Sequence, residues 1–351
     1  MMHLNALGLE HNIKAQADSL ACVLQQQYGA GALAVRQAAS LIRSRSKVLI
    51  TGMGASLFAS LQLKYFLSSR GIDAFVAEAG ELLHYLHESY RDAIVVIVSR
   101  SGESVEIAKL LTVLGPGRTV IGITNEPASL LARKADICLL VGSLADQIVA
   151  IQTYTGTLLA LHILGSAVED TLVKSRREIN TLIPELSQLI SVSLDGLQSW
   201  DAFFESRSPL HLLARGPSLS SASEGALLFN EIAKHPALGM PAASFRHGPV
   251  ELVDGNFRGL IFAPQGRTRD LNVALARDLA SFGGQVKVIG PSPQDDLGVD
   301  WREVPATHEL LAPIFEIVPV QVAALRMAQL HGIVPGSFRF APQVAVNEAS
   351  F

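Results

Sequence analysis

Cysteines, aromatic residues and charges are all scarce in this chain of 351 residues. The two cysteines, Cys22 and Cys138, lie far apart in apolar surroundings. Neither has the spacing of a metal site or a redox pair, so we predict buried packing residues in a reducing compartment. Charged residues make up only 17% of the chain and the net charge is −4. That balance leaves no basic surface for nucleic acid, so we expect no nucleic-acid partner.

Long apolar runs are also missing, because no stretch of 18 apolar residues occurs and the N-terminus MMHLNALGLEHNIKAQ lacks the hydrophobic region of a signal peptide. These absences predict a cytoplasmic protein that does not bind membranes. What the chain does have is a hydrophobic fraction of 49%, which is typical of an ordered globular protein with a large core. Its length favours two domains.

Strand and helix patterns alternate from Val48 to about Val141, which predicts five strands in a parallel, doubly wound sheet. The same order recurs from LHLLARG at residues 210–216 onward, and this indicates an internal duplication. The predicted fold class is therefore α/β, with two five-stranded parallel sheets, each flanked by helices in three α/β/α layers. We predict an N-terminal helix pair (1–46), a first domain with a helical connector (47–185), a second domain (200–334) and a tail (335–351).

The stretch IVVIVSRSGESVEIA, residues 94–108, is the most informative part of the chain. Ile94 to Val98 has the pattern of a buried strand, and Ser99, Ser101 and Ser104 surround Gly102 directly after it. A helix follows, and its first backbone N–H groups have no internal partner, so a phosphate can bind amides and hydroxyls together. The alternative is that Ser101 or Ser104 only caps this helix. Three hydroxyls at a strand end favour a ligand loop.

A second glycine-serine turn, GMGAS at residues 52–56, follows the strand pattern KVLIT. The two turns can converge on one anion. The turn lacks the third glycine of a dinucleotide fingerprint, and no acidic residue clearly ends a second strand at the expected distance. A nicotinamide cofactor is therefore disfavoured.

Three ordered motifs, KVLITGMGAS, IVVIVSRSGES and SFRHGPVELVD (residues 244–254), resemble the signatures of sugar isomerase (SIS) domain proteins. Within this family the chain resembles the isomerase half of glucosamine-6-phosphate synthase and its stand-alone relatives, which include amino-sugar-6-phosphate deaminases. The resemblance covers about residues 10–350. It implies two SIS domains, a hexose or hexosamine 6-phosphate as ligand, no cofactor and a symmetric homodimer, the commonest oligomer.

The resemblance also implies roles for individual residues. The groups expected to bind the substrate phosphate are Ser56, Ser99, Arg100, Ser101 and Ser104. Those expected to contact the sugar are Gly54, Ala55, Val149 and Ala150. Glu231, in the helix pattern SEGALLFNEIAKH, is the expected base that moves a proton between C1 and C2, and His247 is the expected group for ring opening.

This set of groups suits aldose–ketose isomerisation, which needs an acid/base group for ring opening and one carboxylate to shuttle a proton between adjacent carbons. No metal is required for either step. The remaining histidines show no paired ligand spacing except His84 and His87, which lack a third ligand. We expect no metal site.

Several positions depart from the family pattern. Family lysines are missing near Gln152, at Leu228 and near Pro342, and no lysine follows Lys287. The chain starts at its N-terminal helices, so we do not expect glutamine to be a nitrogen donor. The leading hypothesis is an enzyme that isomerises, deaminates or aminates with ammonia a hexose or hexosamine 6-phosphate. A non-catalytic phosphosugar sensor is the alternative, and an ordinary nucleotide-binding domain is least favoured.

Overall fold

The computed structural model describes residues 2–45, 47–292, 298–340 and 347. The third missing family lysine was placed near Pro342, which lies outside the described residues. The chain divides into two compact units that are not contiguous in sequence. The first unit comprises Ala17–Asp146, Gln152–Ile183 and Phe338–Phe351, and the second comprises Met1–Gln16, Gln147–Ile151 and Pro184–Ser337. The domain boundaries drawn from the sequence stay a prediction.

Three helices precede the first strand, where the sequence predicted a helix pair: α1 (Met2–Lys14), α2 (Gln16–Tyr28) and α3 (Ala32–Ser44). The break between α1 and α2 is slight, since the Ala15 N–H still donates to the His11 carbonyl at 2.9 Å. Neither glycine nor proline marks that break, so it could not be predicted from the sequence.

The first unit contains a five-stranded parallel sheet, as predicted, in the order β2-β1-β3-β4-β5. Every residue of β3 and β4 is buried, which explains their unbroken apolar sequences. Between β2 and β3, the chain forms a short α-helix followed by a π-helical turn, Leu82–Leu86. The elements are β1 (Lys47–Gly52), α4 (Gly54–Ser68), β2 (Asp73–Glu78), α5 (Ala79–Glu81), β3 (Ile94–Val98), α6 (Val105–Leu114), β4 (Val120–Thr124), α7 (Leu130–Lys134), β5 (Ile137–Leu140) and α8 (Gln152–Val168).

The second unit repeats this plan with a parallel sheet in the order β10-β9-β8-β6-β7. The sequence pattern did not identify β7 or β10. Both are edge strands, and their sequences ALGMP and DWRE lack the apolar run of a central strand. The elements from the connector onward are α9 (Leu172–Gly196), α10 (Asp201–Phe204), β6 (Leu210–Ala214), α11 (Leu219–Ala233), β7 (Ala237–Pro241), α12 (Ala242–Phe245), β8 (Arg258–Phe262), α13 (Arg269–Ser281), β9 (Gln285–Gly290), β10 (Asp300–Glu303) and α14 (Ala312–Leu330).

Each sheet has its own apolar core. In the first unit, Leu49, Val95 and Ile97 pack with α6 residues such as Leu110. In the second unit, the corresponding core combines strand residues with α13. No helix in the described part of the chain is long and apolar enough to span a membrane.

The cysteines differ from the prediction, because both are half-buried and not fully buried. Cys138 lies on β5, which is an edge strand and is covered only in part. Its partial burial still raises the pKa of the thiol above its ordinary value.

Candidate functional site

The serine-rich loop between β3 and α6 folds around its own hydroxyls. The Ser99 hydroxyl accepts a hydrogen bond from the Gly102 N–H at 3.1 Å, and the Ser101 hydroxyl accepts one from the Glu103 N–H at 3.3 Å. A hydroxyl that accepts an amide hydrogen still has its own O–H to donate. The loop therefore presents donors, as an anion requires.

Capping does not account for these serines. Ser104 is the N-cap residue of α6, but its side chain makes no capping hydrogen bond. Ser101 bonds instead to Glu103, which precedes the helix. The first amides of α6 are thus left without a side-chain acceptor from Ser104, and the end of a helix in this state is suited to bind an anion.

The neighbouring strand end holds the loop in place. The Arg100 carbonyl accepts hydrogen bonds from the Asn125 N–H at 3.1 Å and the Thr124 hydroxyl at 3.0 Å. Gly102 has φ +63°, and a Cβ there would lie 2.4 Å from the Ser129 Oγ. Only glycine fits, because both the left-handed backbone and the close contact exclude a side chain.

The glycine-serine turn lies at the same edge of the first sheet. Strands β1 and β3 are adjacent and parallel, so their carboxyl ends are neighbours. A Cβ on Gly52 would lie 2.7 Å from the Val98 carbonyl oxygen, which shows how closely the two strand ends approach. Ser56 is in the first turn of α4, directly after Gly54 and Ala55. The five predicted phosphate-binding residues are thus at one edge of one sheet.

A cavity of about 490 Å³ lies beside the serine loop. Its volume falls in the range of small-molecule sites. Arg100 and Ser101 line it, together with residues that the sequence did not single out: Glu103, Asn125, Glu126, Ala128, Ser129, Ala145, Asp146 and Thr153. The signal that could have identified Asn125 is its position directly after β4, at the carboxyl edge where ligands bind in open α/β sheets.

Two of the residues that line this cavity, Asp146 and Asn125, also hold its surrounding backbone in place by hydrogen bonds. Asp146 caps α8, since its carboxylate accepts from the Gln152 N–H at 3.0 Å and the Thr153 N–H at 2.9 Å. The side-chain amide oxygen of Asn125 accepts from the N–H groups of Gly142 and Ser143 at 3.1 and 3.0 Å. These half-buried hydrogen bonds hold part of the polar cavity in place.

A larger cavity, about 570 Å³, lies between α1, α9 and α14 of the second unit. It is lined by helix residues such as Ser191 and Gln329, and by Lys14 and Arg326, whose charges are already paired with Glu10 and with Asp201. It is not at the carboxyl end of any strand. The smaller cavity is thus the better candidate for a ligand.

The other predicted site residues belong to the second unit. Glu231 is half-buried near the C-terminal end of α11, and His247 is exposed on the turn after α12. Val149 is buried and Ala150 is half-exposed, and both lie in the segment Gln147–Ile151. These four residues stay predicted members of the site.

Lys234 is a residue that sequence reasoning missed. It caps α11 in a left-handed conformation, φ +51°, and its ammonium donates to the Glu231 carbonyl. A basic group therefore contacts the backbone of the residue that carries the predicted base. Its signal in the sequence was weak, because nothing in the residues around Lys234 predicts a left-handed lysine.

Two of the missing family lysines fall at Leu228 and near Gln152, and both of these residues are buried. Leu228 is fully buried on α11. Gln152 is buried at the start of α8, and its amide donates to the Ala145 carbonyl at 2.8 Å. In the described part of the chain, no group of three or more His, Cys, Asp or Glu side chains could hold a metal ion.

Glu316 is an unexpected buried acid on α14 of the second unit. Its two carboxylate oxygens accept hydrogen bonds from the Ser218 hydroxyl at 2.9 Å and the Ser221 hydroxyl at 2.7 Å. Complete burial raises the pKa of this carboxyl to about 7, and the two hydroxyls oppose that rise only in part.

Several known proteins are similar to this chain. Glutamine–fructose-6-phosphate aminotransferase (isomerizing) from Pyrococcus horikoshii is 29% identical over 305 residues, which is 85% of this chain and 51% of that protein. The enzyme of the same name from Thermococcus kodakarensis is 27% identical over 316 residues, 86% of this chain and 52% of that protein. The chain thus spans about half the length of these curated relatives.

Solved structures share the fold. The C-terminal domain of glucosamine-fructose-6-phosphate aminotransferase from Francisella tularensis matches with a TM-score of 0.77 and 23% identity, over 92% of this chain and 95% of that one. Tagatose-6-phosphate ketose/aldose isomerase from Escherichia coli matches with a TM-score of 0.78 and 18% identity, over 96% and 97%. Glucosamine-6-phosphate deaminase from Thermotoga maritima has a TM-score of 0.76 and 20% identity, over 97% and 100%.

The match to the family itself covers both sheets. The SIS domain profile matches residues 40–167 and again residues 204–330, which together are well over half of the chain. Each match contains one of the two parallel five-stranded sheets. The chain belongs to the SIS domain family.

Proposed function

We propose that this protein is an enzyme that isomerises a hexose or hexosamine 6-phosphate, with or without loss or gain of ammonia. The observation that carries the proposal is the serine loop, residues 99–104. The hydroxyls of Ser99 and Ser101 accept hydrogen bonds from backbone N–H groups of the same loop, so their O–H groups are left to donate to a ligand. The amino end of α6 adds N–H groups at the same place. Such a set of donors matches a phosphate ester better than a neutral sugar.

Phosphate binding is the first step. In this proposal, Ser99, Ser101 and Ser104 donate to the phosphate oxygens together with Ser56, while Arg100 adds positive charge. Each hydrogen bond to a charged group contributes about 1.5 to 3 kcal/mol. The polar cavity beside the loop has room for the remainder of a hexose.

Glu231 and His247 carry the chemistry. His247 transfers the proton that opens the sugar ring. Glu231 takes the proton from C2 of the aldose while O1 gains a proton, which gives an enediol. The same carboxyl then returns the proton to C1 while O2 loses its proton, which gives the ketose. With a 2-amino sugar, return of the proton to C1 leaves an imine at C2, which water hydrolyses to the ketose and ammonia.

The second candidate function is a phosphosugar sensor without turnover. The observation in its favour is the absence of family lysines at Leu228 and near Gln152, where Leu228 is buried in the core and the buried Gln152 amide donates to the Ala145 carbonyl. Lys234 favours the enzyme. The family lysine is missing three residues before Glu231, at Leu228, but Lys234 lies three residues after Glu231 and its ammonium group donates to the Glu231 backbone carbonyl.

A substrate panel separates the two functions. The purified protein is incubated with hexose and hexosamine 6-phosphates, ketose and ammonia are followed, and binding is measured in parallel by thermal shift. Hydrogen–deuterium exchange at C2 of the sugar reports proton abstraction even when the net reaction is slow. Binding without exchange or turnover across the panel would support the sensor and contradict the enzyme.

Two variants test the residues. Ser101→Ala together with Ser104→Ala should weaken phosphosugar binding, while Ser68→Ala, an exposed serine at the end of α4, is the matched control. Glu231→Gln keeps the shape of the side chain but cannot accept the proton, so binding should persist while exchange at C2 falls by about 10² to 10⁴. Full exchange in Glu231→Gln would point to another base, and unchanged affinity in the double variant would remove the loop from the site.

A further inference from the structure

Two histidines lie at the C-terminal ends of α11 and α14, and no role has yet been assigned to them. His235 follows the left-handed Lys234 at the end of α11, and His331 directly follows α14. Their ring centres are 6.0 Å apart, with 51° between the two planes. The two rings therefore bring the ends of these helices together.

Both histidines hold the same short segment, which joins α10 to β6. The Nε2 atom of His235 lies 2.9 Å from the Ser208 carbonyl oxygen, and that of His331 lies 3.3 Å from the Glu205 carbonyl oxygen. A carbonyl oxygen only accepts hydrogen bonds, so Nε2 carries the hydrogen in both rings. The histidine clasp, His235 and His331, thus ties two helix ends to one connecting segment.

The clasp is suited to the neutral form of both rings. His235 is only 4% exposed, so a charge on its ring would lose most of its hydration. The Nδ1 atom of His331 is buried and has no hydrogen-bond partner among the described residues, so a proton added there would have no acceptor. Protonation of both rings would also place two positive charges side by side.

The charges around the clasp do not remove this cost. They are Glu205 and Arg207 on the connecting segment, Glu231 and Lys234 at the end of α11, and the ion pair of Asp201 on α10 with Arg326 on α14. Burial lowers the pKa of His235, the hydrogen bond to Ser208 opposes that shift, and the charges of His331 and Arg207 add to it. The surroundings therefore favour the neutral imidazole.

The clasp holds the part of α11 that carries the proposed base. Glu231 lies in the last turn of this helix, which ends at Ala233. The His235 N–H donates to the Phe229 carbonyl at 3.1 Å, so the same residue contacts the last turn through its backbone and the connecting segment through its ring. A displacement of His235 is thus passed to the backbone on which Glu231 stands.

We propose that His235, supported by His331, is a positioning residue that fixes the last turn of α11 and with it the Glu231 carboxylate, and that protonation of the clasp releases this turn. The proposal rests on the proposed function, in which Glu231 moves the proton between C1 and C2. It assigns the histidines no contact with the substrate, because they act through the backbone. Activity should therefore respond in rate and not in substrate affinity.

Substitutions at His235 separate its hydrogen bond from its titration. His235→Phe keeps a ring beside His331 but loses the donor to Ser208, so the rate of exchange at C2 should fall about tenfold with little change in KM. His235→Gln keeps an N–H donor but does not titrate. Its rate relative to the wild type should rise about threefold between about pH 7.5 and about pH 5.5. His11→Gln, at an exposed histidine of α1, is the matched control and should change neither rate nor pH profile.

Amide hydrogen exchange followed by mass spectrometry measures the same turn without substrate. The amides of residues 229–235 should exchange faster in His235→Phe than in the wild type at neutral pH, because the clasp is open. At about pH 5.5 they should exchange faster in the wild type than in His235→Gln. His331→Phe, at a half-buried helix end, should shift exchange in the same direction and tests the clasp even where His235→Phe does not fold.

The outcomes distinguish this proposal from the proposed function. Unchanged amide exchange in the two Phe variants would overturn the clasp. Exchange at C2 at the wild-type rate in His235→Phe, a higher KM with an unchanged rate, or a His235→Gln profile parallel to the wild type would overturn the positioning role. Faster amide exchange in the Phe variants, with no exchange at C2 in any protein, would support the clasp and contradict the proposed function.

Discussion

Replacing Glu316 by glutamine should remove a pH dependence from the stability of the second unit. The carboxyl has a pKa of about 7 in the folded chain, against an ordinary value of 4.5. The folded state thus holds this proton to higher pH than the unfolded state does. The stability that the proton provides is fully present below about pH 4.5, and it is lost as the pH rises through 7.

The size of the effect follows from the two values. The gap between 4.5 and about 7 corresponds to about 3 kcal/mol at 1.36 kcal/mol per pH unit. Glutamine retains one oxygen that can accept from one serine hydroxyl, and its NH₂ group can donate to the other, since hydroxyls both donate and accept. The variant therefore keeps contacts to Ser218 and Ser221 and loses only the titration.

Urea denaturation at several pH values between 4.5 and 8.5 measures the effect. The difference in unfolding free energy, Glu316→Gln minus wild type, should rise by about 3 kcal/mol across this range, most steeply between pH 5 and 7. If the glutamine makes poorer hydrogen bonds to the two serines, the unfolding free energy of the variant falls by the same amount at every pH, and the slope with pH is unchanged. Glu185→Gln, on the exposed face of α9, is the matched control. A difference that stays flat with pH would refute the reasoning.

Further predictions concern the loops, the helix cap and the oligomer. Gly102→Ala should lower thermal stability and abolish phosphosugar binding, because its Cβ would lie 2.4 Å from the Ser129 Oγ, and a thermal shift assay with ligand checks both. Lys234→Gly should raise the unfolding free energy in urea by about 0.5 to 1 kcal/mol, since glycine adopts φ +51° without strain. Calorimetry should show binding of a hexose 6-phosphate and not of the free hexose, and equal affinity would contradict an anion loop. Light scattering at micromolar concentration should give a homodimer, which a monomeric mass would contradict.

Elements with a strong local pattern could be predicted from the sequence. β3 was predicted at Ile94 to Val98 and lies there, because a central strand of a parallel sheet is buried on both faces and needs an unbroken apolar run. β10 could not be predicted in this way. Its sequence DWRE has no apolar run, and it is a strand because it pairs with β9 in the folded sheet.

In the candidate site, too, only features whose residues lie close together in the sequence could be predicted. The serine loop could be predicted because the strand, the glycine and the hydroxyls lie within a few residues of each other. The pairs that set the electrostatics of the second unit could not, since Ser208 and His235 are 27 residues apart and Ser218 and Glu316 are 98 apart. A single sequence carries no signal for such long-range partners.

The two halves of the chain show why a motif alone does not define a site. Ser56 and Ser218 follow corresponding strands at the same distance, and both turns contain a left-handed glycine. Ser218 is nevertheless fully buried and donates to Glu316, whereas Ser56 is half-exposed at the edge of its sheet. A single acidic residue on α14 thus directs the serine of one turn into the core. The chemistry of each turn depends on the helix packed behind it as much as on the turn itself.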